Sequence, residues 1–482
     1  MSTTVLRKHL AELDAQIAEQ KNILEELEEV RTAVERELNA TIYPILTLPP
    51  EITAEIFLHC LPPFANLGWW YEYDNAAPIF LGRVCRAWRD IALATPVLWS
   101  TLTITFTHKR RLSSDFIFRW LARAGKCPLS IVFRDDGEGS EIPLLTKVIQ
   151  RYSLQIRYLE LYTTKGQLPK LGLDMGFPLL EGASLHSEHE THDVDVDLVL
   201  FNNAPRLTEF HLDAVVPDDI ARRLTLPWSQ LTRYHGTIHE LCLFDKLPNL
   251  IEATCSIEYR LGSTAVIHTR LASLTVSDGV GDILANLTLP ALQHLDISST
   301  DDYEELESFL IRSSPPLVSL SARGTHTYCD WARCLALVAK TLSTVSFKSP
   351  STDFLATIFP DQDSSPLSRS TVPNLRVLTL DPVARDCRLN YQGLVRFLYS
   401  RSSRFDRLRS FRLVWDYSPF LDDDCWAGPG DTGKWDKISN HLSELMSTGL
   451  DIYLGIEEKN YAVLHESDSW RAVERGGTTG SR

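Results

Sequence analysis

The stretch Leu271-Ala272-Ser273-Leu274-Thr275-Val276 carries a pattern that returns 21 residues later as Leu292-Gln293-His294-Leu295-Asp296-Ile297. In both copies an apolar anchor is followed by two variable residues, an apolar residue, one variable residue and a last apolar residue. The alternation after the anchor predicts a β-strand with one buried face. The pattern recurs in nine further copies, whose anchors are Ile156, Leu180, Leu207, Leu231, Leu250, Leu317, Leu342, Leu375 and Leu408.

The eleven anchors are spaced 19 to 33 residues apart. Leucine-rich repeats share the L-x-x-L-x-L pattern and a period of roughly 20–29 residues, and each repeat supplies a strand and then a helix or turn. One unit cannot bury its apolar side, whereas a stack of units can. The sequence therefore predicts an α/β fold, a horseshoe-shaped leucine-rich repeat solenoid over residues 100–465. Residues 466–482 are polar and Gly-rich, which predicts a disordered tail.

The variable positions of the repeats are expected on the concave face of the solenoid, where repeat proteins usually bind partners. Along the sequence this face begins with acidic residues and histidines and becomes basic. We therefore expect a basic segment of a protein substrate at the first repeats and an acidic or phosphorylated one at the last. A strand face that only keeps the protein soluble is the alternative. The candidate substrate-binding residues are Glu209, His211, Arg233, His294, Arg323 and Arg412.

The N-terminal segment, residues 1–43, contains no Pro or Gly and has apolar side chains at a seven-residue period. Such heptads are typical of a helix whose apolar stripe packs on another helix, as in a coiled coil. Gln20 and Arg31 interrupt the stripe. A second copy of the chain, in a homodimer through 1–40, or the body of the protein would cover it. The apolar residues of the stripe include Leu6, Leu10, Leu13, Ile17, Leu24, Leu27 and Val34.

Two further apolar blocks lie within residues 44–99. The first is Leu48-Pro49-Pro50-Glu51-Ile52 followed by Ile56-Phe57, and the second is Val84-Cys85-Arg86-Ala87-Trp88-Arg89. Apolar spacing predicts one helix beginning at Pro50 and another from about Ile79 to Leu93. The order and distance of the two blocks resemble an F-box. The chain as a whole resembles an F-box protein with C-terminal leucine-rich repeats, of the basidiomycete-type F-box family.

The resemblance implies a binding role rather than a reaction. In this family the F-box docks on the Skp adaptor, and through it on the cullin of a ubiquitin ligase, while the repeats hold a protein substrate for degradation. The alternative from the residues alone is that these side chains form the core of a small helical cap. A repeat scaffold with a degenerate F-box is the alternative function. The resemblance assigns docking to Pro49, Pro50, Ile52, Ile56, Val84, Cys85 and Trp88.

The charge balance narrows the class of partner. The 482 residues include 48 Lys and Arg against 63 Asp and Glu, so the formal net charge is −15. This balance argues against a nucleic-acid-coating protein and against an anionic-membrane binder. The sequence contains no run of about 18 apolar residues and no apolar signal at its N-terminus. The nine Cys are scattered. We therefore expect a cytoplasmic or nuclear protein with reduced thiols.

Two motifs suggest chemistry, but only weakly. Residues 428–434 fit G-x-x-x-x-G-K, yet Trp435 stands where a phosphate loop needs Ser or Thr. His186, His189 and His192 have a spacing that suits a zinc site if their segment is helical, and a solvated acidic loop is the alternative. No nucleophile follows a known catalytic motif. We expect no catalytic residues, cofactor or metal, while an enzyme site assembled from distant residues remains an alternative.

Overall fold

The computed structural model describes residues 3–40, 47–61, 76–106, 112–135, 142–162, 171, 173, 175–187, 198–214, 224–238, 240–256, 264–298, 303–323, 331–360, 365–368, 370–383, 390–402, 408–415, 432–456 and 459–460. Contacts divide the chain into two compact units. The first is Met1–Thr103 with Phe118–Cys127, and the second is Ile104–Ile117 with Pro128–Arg482. Residues 428–431 of the weak phosphate-loop match and the tail at 466–482 lie outside the described residues.

The first unit is helical. α1 confirms the expected N-terminal helix, and its apolar stripe is exposed. Pro50 begins α2 as expected, because the first turn of a helix needs no N–H from that residue. None of the helices among the described residues has both the length and the apolar character needed to cross a membrane. The elements are α1 (Thr3–Ala40), α2 (Pro50–His59), α3 (Ala76–Val84), α4 (Arg86–Ala94), a 3₁₀ helix (Pro96–Trp99) and the second half of α5 (Ser114–Arg123), whose first half belongs to the other unit.

The prediction of a single helix from about Ile79 to Leu93 is wrong. Two helices replace it, because Cys85 has extended backbone angles, with φ −154° and ψ 173°. The Sγ of Cys85 accepts a hydrogen bond from the backbone N–H of Trp88 at 3.4 Å and so caps the start of α4. Helical spacing of apolar residues continues across the break, which is why periodicity alone did not reveal it.

Aromatic side chains build the interior of the first unit. Phe57 of α2 is fully buried and meets the ring of Trp88 edge-on, with 5.0 Å between ring centroids. Trp99 packs on Trp120 in the same way at 4.7 Å and donates its Nε1–H to the carbonyl oxygen of Ala92 at 2.8 Å. Edge-to-face pairs contribute about 0.5–1.5 kcal/mol beyond area burial. α2, α4 and the 3₁₀ helix therefore share one small core.

A long sheet dominates the rest of the chain. Fifteen of the described strands form it in the order β1-β2-β3-β4-β6-β8-β9-β11-β13-β14-β15-β16-β17-β18-β19. Neighbours from β2 to β18 are parallel, β19 is antiparallel to β18, and β5 with β7 and β10 with β12 form short parallel pairs. The strands are β1 (Thr101–Phe106), β2 (Leu129–Asp135), β3 (Ile156–Tyr162), β4 (Gly182–Ser187), β5 (Leu198–Val199), β6 (Glu209–Ala214), β7 (Leu224–Thr225), β8 (Arg233–Thr237), β9 (Glu252–Ser256), β10 (Val266–Ile267), β11 (Ser273–Val276), β12 (Leu287–Thr288), β13 (His294–Ile297), β14 (Ser319–Arg323), β15 (Thr344–Lys348), β16 (Val377–Val383), β17 (Ser410–Trp415), β18 (Asp451–Ile456) and β19 (Lys459–Asn460).

Helices connect many of these strands, as a parallel sheet requires a crossover between neighbours. The coarse fold class is therefore confirmed as mixed α/β with a long parallel sheet. The connecting helices are α6 (Ile142–Tyr152), a 3₁₀ helix (Trp228–Gln230), α7 (Leu243–Lys246), α8 (Val280–Asn286), α9 (Tyr303–Ser313), α10 (Trp331–Val338), α11 (Thr352–Ile358), α12 (Tyr391–Arg401) and α13 (Thr432–Ser447).

Each of the eleven motif copies contributes one strand of the sheet, and the strands follow one another in the order of the copies. All eleven anchors are at most 1% exposed. Leu274 lies between Ala253 and Leu295 in the register, so equivalent apolar positions form a continuous row on the buried face. The expected alternation is confirmed, and the variable positions consequently lie on the opposite face.

β2 and β18 are strands that the motif search missed. Ile131 and Ile452 are buried at the apolar position that stands three residues after the anchor in the other copies. The anchor position itself is Pro128 in one and Gly449 in the other. A search for alternation alone, without the anchor, would have found both strands.

Candidate functional site

One face of α2 is apolar and exposed. Ile52 and Ile56 lie one helical turn apart with 51% and 40% of their surface exposed, whereas Phe57 is buried. Residues four positions apart share a helix face, so α2 presents its isoleucines to solvent and its phenylalanine to the core. Pro49 and Pro50 are also exposed at the start of this helix.

The following helices add more exposed apolar side chains. Val84 at the end of α3 is 61% exposed, and Phe80 lies one turn before it on the same helix. Sequence reasoning assigned Val84 but missed Phe80, although the spacing of four residues would have suggested it. Seven large apolar side chains are thus exposed among the described residues 48–97. We call them the apolar set: Leu48, Ile52, Ile56, Phe80, Val84, Leu93 and Val97.

Two residues of the expected docking surface are only half-buried, and both also act inside the unit. Cys85 caps α4, and Trp88 packs its ring on Phe57. Five of the seven expected docking residues are therefore exposed, and these two hold α2 and α4 in place. The alternative of a helical cap with all seven in its core does not describe this unit.

Charged side chains lie on the same helices as the apolar set. Glu51, Glu55, Arg86 and Arg89 are exposed. Arg89 donates its Nε–H to the carbonyl oxygen of Gly82 at 2.8 Å and thereby links α4 to α3. Protein interfaces commonly combine an apolar centre with a polar, charged rim. These three helices provide both kinds of side chain.

The polar face of the long sheet is the second candidate surface. Its variable positions lie opposite one another on successive strands and form rows across the sheet. Glu209, Arg233 and His294 share one row, and His211 and Arg412 share the next. Arg323 lies at a further position of its strand, opposite Lys348. All six expected substrate-binding residues lie on this face, and Glu209, His211 and Arg233 are brought together on β6 and β8.

Four rings form a continuous row of ring contacts on this face, which we call the ring ladder. Tyr162 and His186 are stacked 4.1 Å apart with 7° between their planes. His186 meets His211 edge-on at 4.8 Å, and His211 lies 5.0 Å from His235. The two histidine–histidine separations are close to the distance of about 4.7–4.9 Å between neighbouring strands. Tyr162 with His186 and His211 with His235 are register partners, whereas His186 reaches His211 diagonally, because its own register partner is Asp213.

A buried carboxylate lies beside the ring ladder. Glu160 of β3 is 2% exposed, and its Oε1 is 3.8 Å from Nε2 of His186 and 4.0 Å from the guanidinium of Arg134. Burial raises the pKa of Glu160, while Tyr162, His186 and Arg134 offset part of that rise. Arg134 also covers Tyr162, with its Cζ 4.4 Å from the ring centroid.

The first strands of the polar face carry less free negative charge than their sequence indicates, because one carboxylate is paired. Arg233 forms a salt bridge with Glu209. Glu252 lies opposite Arg233 on β9, is exposed, and forms no salt bridge with another described residue. Partial removal from water lowers the pKa of His235, and the carboxylates of Glu252 and Glu209 oppose this effect.

The basic end of the face contains paired and unpaired cations. Lys348 forms a salt bridge with Asp296 at 2.6 Å across the intervening strand β14. The guanidinium of Arg412 lies 4.4 Å from the ring centroid of Tyr453. Arg323 is exposed. Arg323 and Arg412 form no salt bridge with another described residue, so their charge remains for an acidic ligand.

The histidines of the expected zinc spacing begin on the sheet. His186 lies on a β-strand rather than on a helix, and its ring belongs to the ladder. His189 and His192 lie outside the described residues. Among the residues that are described, no group of three His, Cys, Asp or Glu side chains is arranged to hold a metal ion.

Comparison with models of protein families gives no match for this chain. Comparison with curated proteins gives none either. The geometry of the two surfaces therefore carries the argument about function.

Proposed function

We propose that the chain is the substrate-recognition subunit of a Skp–cullin–F-box ubiquitin ligase. In this proposal residues 44–99 are an F-box that docks on the Skp adaptor. The long sheet belongs to a horseshoe-shaped leucine-rich repeat solenoid whose polar face holds a protein substrate. The chain itself carries out no reaction and needs no cofactor, and it acts in the cytoplasm or nucleus.

The apolar set is the observation that supports the docking role best. A small helical unit that already has a core of Phe57, Trp88 and Trp99 still exposes seven large apolar side chains. Covering one such side chain contributes about 1.5–3 kcal/mol. Exposed apolar side chains grouped on a few elements are typical of a surface that a partner covers.

The repeats support the second half of the proposal. Successive motif copies place their anchors in one core and their variable residues in shared rows. Stacked repeats of this kind expose an extended surface that is suited to binding a protein segment. The mixture of acidic, histidine and basic residues along the rows favours a polar protein ligand over a small apolar molecule.

Co-purification with the Skp adaptor tests the docking role. We expect the double variant Ile52→Asp, Ile56→Asp to lose binding, because a charge forced into a desolvated apolar contact costs several kcal/mol. Ile267→Asp is the matched control, since Ile267 is 68% exposed on β10 in the other unit. Undiminished co-purification of a folded double variant would refute the docking assignment.

The rival function is a repeat scaffold with a degenerate F-box. It predicts that neither wild type nor variant binds the Skp adaptor, while the polar face still captures a protein partner. Cross-linking of wild-type chain to purified Skp adaptor separates the two functions, because only the ligase subunit gives a cross-link near α2.

A further inference from the structure

Three guanidinium groups of the chain already rest on its own rings and carboxylates at the N-terminal end of the polar face. Arg134 covers Tyr162, and Arg157 lies 5.2 Å from the ring centroid of Tyr158. Arg233 pairs with Glu209. Aromatic faces and carboxylates attract guanidinium and ammonium groups strongly where water is partly excluded. This part of the sheet is therefore chemically suited to hold basic side chains.

The exposed end of the ring ladder leaves a position for a further cation. His235 closes the ladder on β8, and Glu252 lies diagonally across from it on the neighbouring strand. While the histidines are neutral, Glu209 is paired with Arg233, whereas the carboxylate of Glu252 forms no salt bridge with another described residue. The charged and titratable groups on the elements that meet the ladder are Arg134 (β2), Glu160 and Tyr162 (β3), His186 (β4), Glu209 and His211 with Asp213 at the register position opposite His186 (β6), Arg233 and His235 (β8) and Glu252 (β9).

We propose that the ring ladder and Glu252 form a proton-gated surface for a Lys- or Arg-rich segment of a partner protein, which binds while the histidines are neutral and is released when they become charged. The proposal deepens the proposed function and rests on it in one respect, since the segment is taken to belong to the captured substrate.

The sign of the effect follows from the groups involved. Protonation of His235 adds positive charge next to the bound cation, and protonation of His211 adds it on the neighbouring strand. Protonation of Glu160, whose pKa is raised by burial, removes a negative charge at the other end of the ladder, on β3. The first change repels a basic segment and the second reduces its attraction, so acidification weakens binding. Because the rings are within about 5 Å of one another, charging one opposes charging the next.

Fluorescence anisotropy with the full-length chain tests this proposal. The probe is a labelled peptide rich in Lys and Arg, beside a peptide of the same length with Gln at those positions. We expect the basic peptide to bind at about pH 7.5, and roughly tenfold more weakly at about pH 5, because the pKa of His235 lies below the ordinary histidine value of about 6.5 and release needs a correspondingly lower pH. The Gln peptide is expected to bind at neither pH.

Two sets of variants assign the effect to this site. The double variant His211→Gln, His235→Gln should bind the basic peptide at neutral pH and lose most of the pH dependence. His9→Gln is its control, an exposed histidine on α1, which belongs to the other unit. Glu252→Gln should weaken binding several-fold at neutral pH, whereas Glu304→Gln, an exposed carboxylate on α9, should not.

The proposal is overturned if the basic peptide binds no better than the Gln peptide, if an acidic peptide binds instead, or if the double histidine variant keeps the full pH dependence. Glu252→Gln decides the matter if the histidine variant does not fold, because Glu252 is exposed. The variant Ile52→Asp, Ile56→Asp should bind the peptide as wild type does. The assay contains no Skp adaptor, so failure here is distinct from failure of docking.

Discussion

Gly236 stands where β8 comes very close to β6. A Cβ at this position would lie 2.0 Å from the carbonyl oxygen of Leu212, and its φ is +146°. We expect Gly236→Ala to lower the free energy of unfolding by roughly 3 kcal/mol or more, because a backbone clash adds to conformational strain. Denaturant unfolding measures this loss. Gly125→Ala is the control, since its φ is +59° but its Cβ would meet open space, and equal losses in both would contradict the role of the close approach.

Cys255 is the residue whose reactivity the fold changes most clearly. Burial raises the pKa of its thiol to about 12, so at about pH 8 almost none of it is the reactive thiolate. We expect iodoacetamide to leave Cys255 unmodified in the folded chain while it alkylates the exposed Cys60. Mass spectrometry of the digested protein reads both sites. Alkylation of Cys255 at the rate of Cys60 would show that the strand is not buried as described.

Among the elements, α1 has an apolar stripe that faces solvent along its whole described length. Arg31 interrupts the stripe and pairs with Glu35 of the same helix at 3.6 Å. We propose that a second copy of α1 covers the stripe. The double substitution Leu24→Glu, Leu27→Glu should then convert a dimer into a monomer, because four charges enter the apolar seam of the pair.

Sedimentation equilibrium measures this change in mass. Ala33→Glu is the matched control, an exposed position of α1 outside the heptad stripe, and it should leave the dimer intact. A wild-type chain that sediments as a monomer, with no change in the double variant, would contradict pairing through α1.

Some elements follow from the sequence and others depend on neighbours that it does not show. The strand at Leu274 was predictable, because its anchor and alternation are local. The break at Cys85 was not, since apolar spacing runs through it. The ring ladder also escaped prediction. His211 and His235 meet because the parallel register places them side by side, and His186 reaches His211 diagonally from the neighbouring strand.

At the scale of the whole molecule, the two candidate surfaces lie on different compact units. The apolar set belongs to the helices between residues 48 and 97, and the ring ladder belongs to the sheet. The apolar blocks and the repeats of the sequence predicted two separate candidate surfaces, but they did not predict which charges of the sheet face are buried or paired. Glu160 counts as acidic in the sequence, yet it is 2% exposed, and Glu209 is paired with Arg233. Net charge therefore describes the binding face poorly.

Hydrogen–deuterium exchange of the full-length chain, with and without purified Skp adaptor, tests the central claim most directly. Amides that a partner covers exchange more slowly, and mass spectrometry locates them along the sequence. We expect protection in Pro50–His59, Ala76–Val84 and Arg86–Ala94, which contain most of the apolar set, and unchanged exchange in the strands from β3 to β17. No protection in these helices at saturating adaptor, or protection confined to the strands, would contradict the assignment of this chain as a ligase subunit.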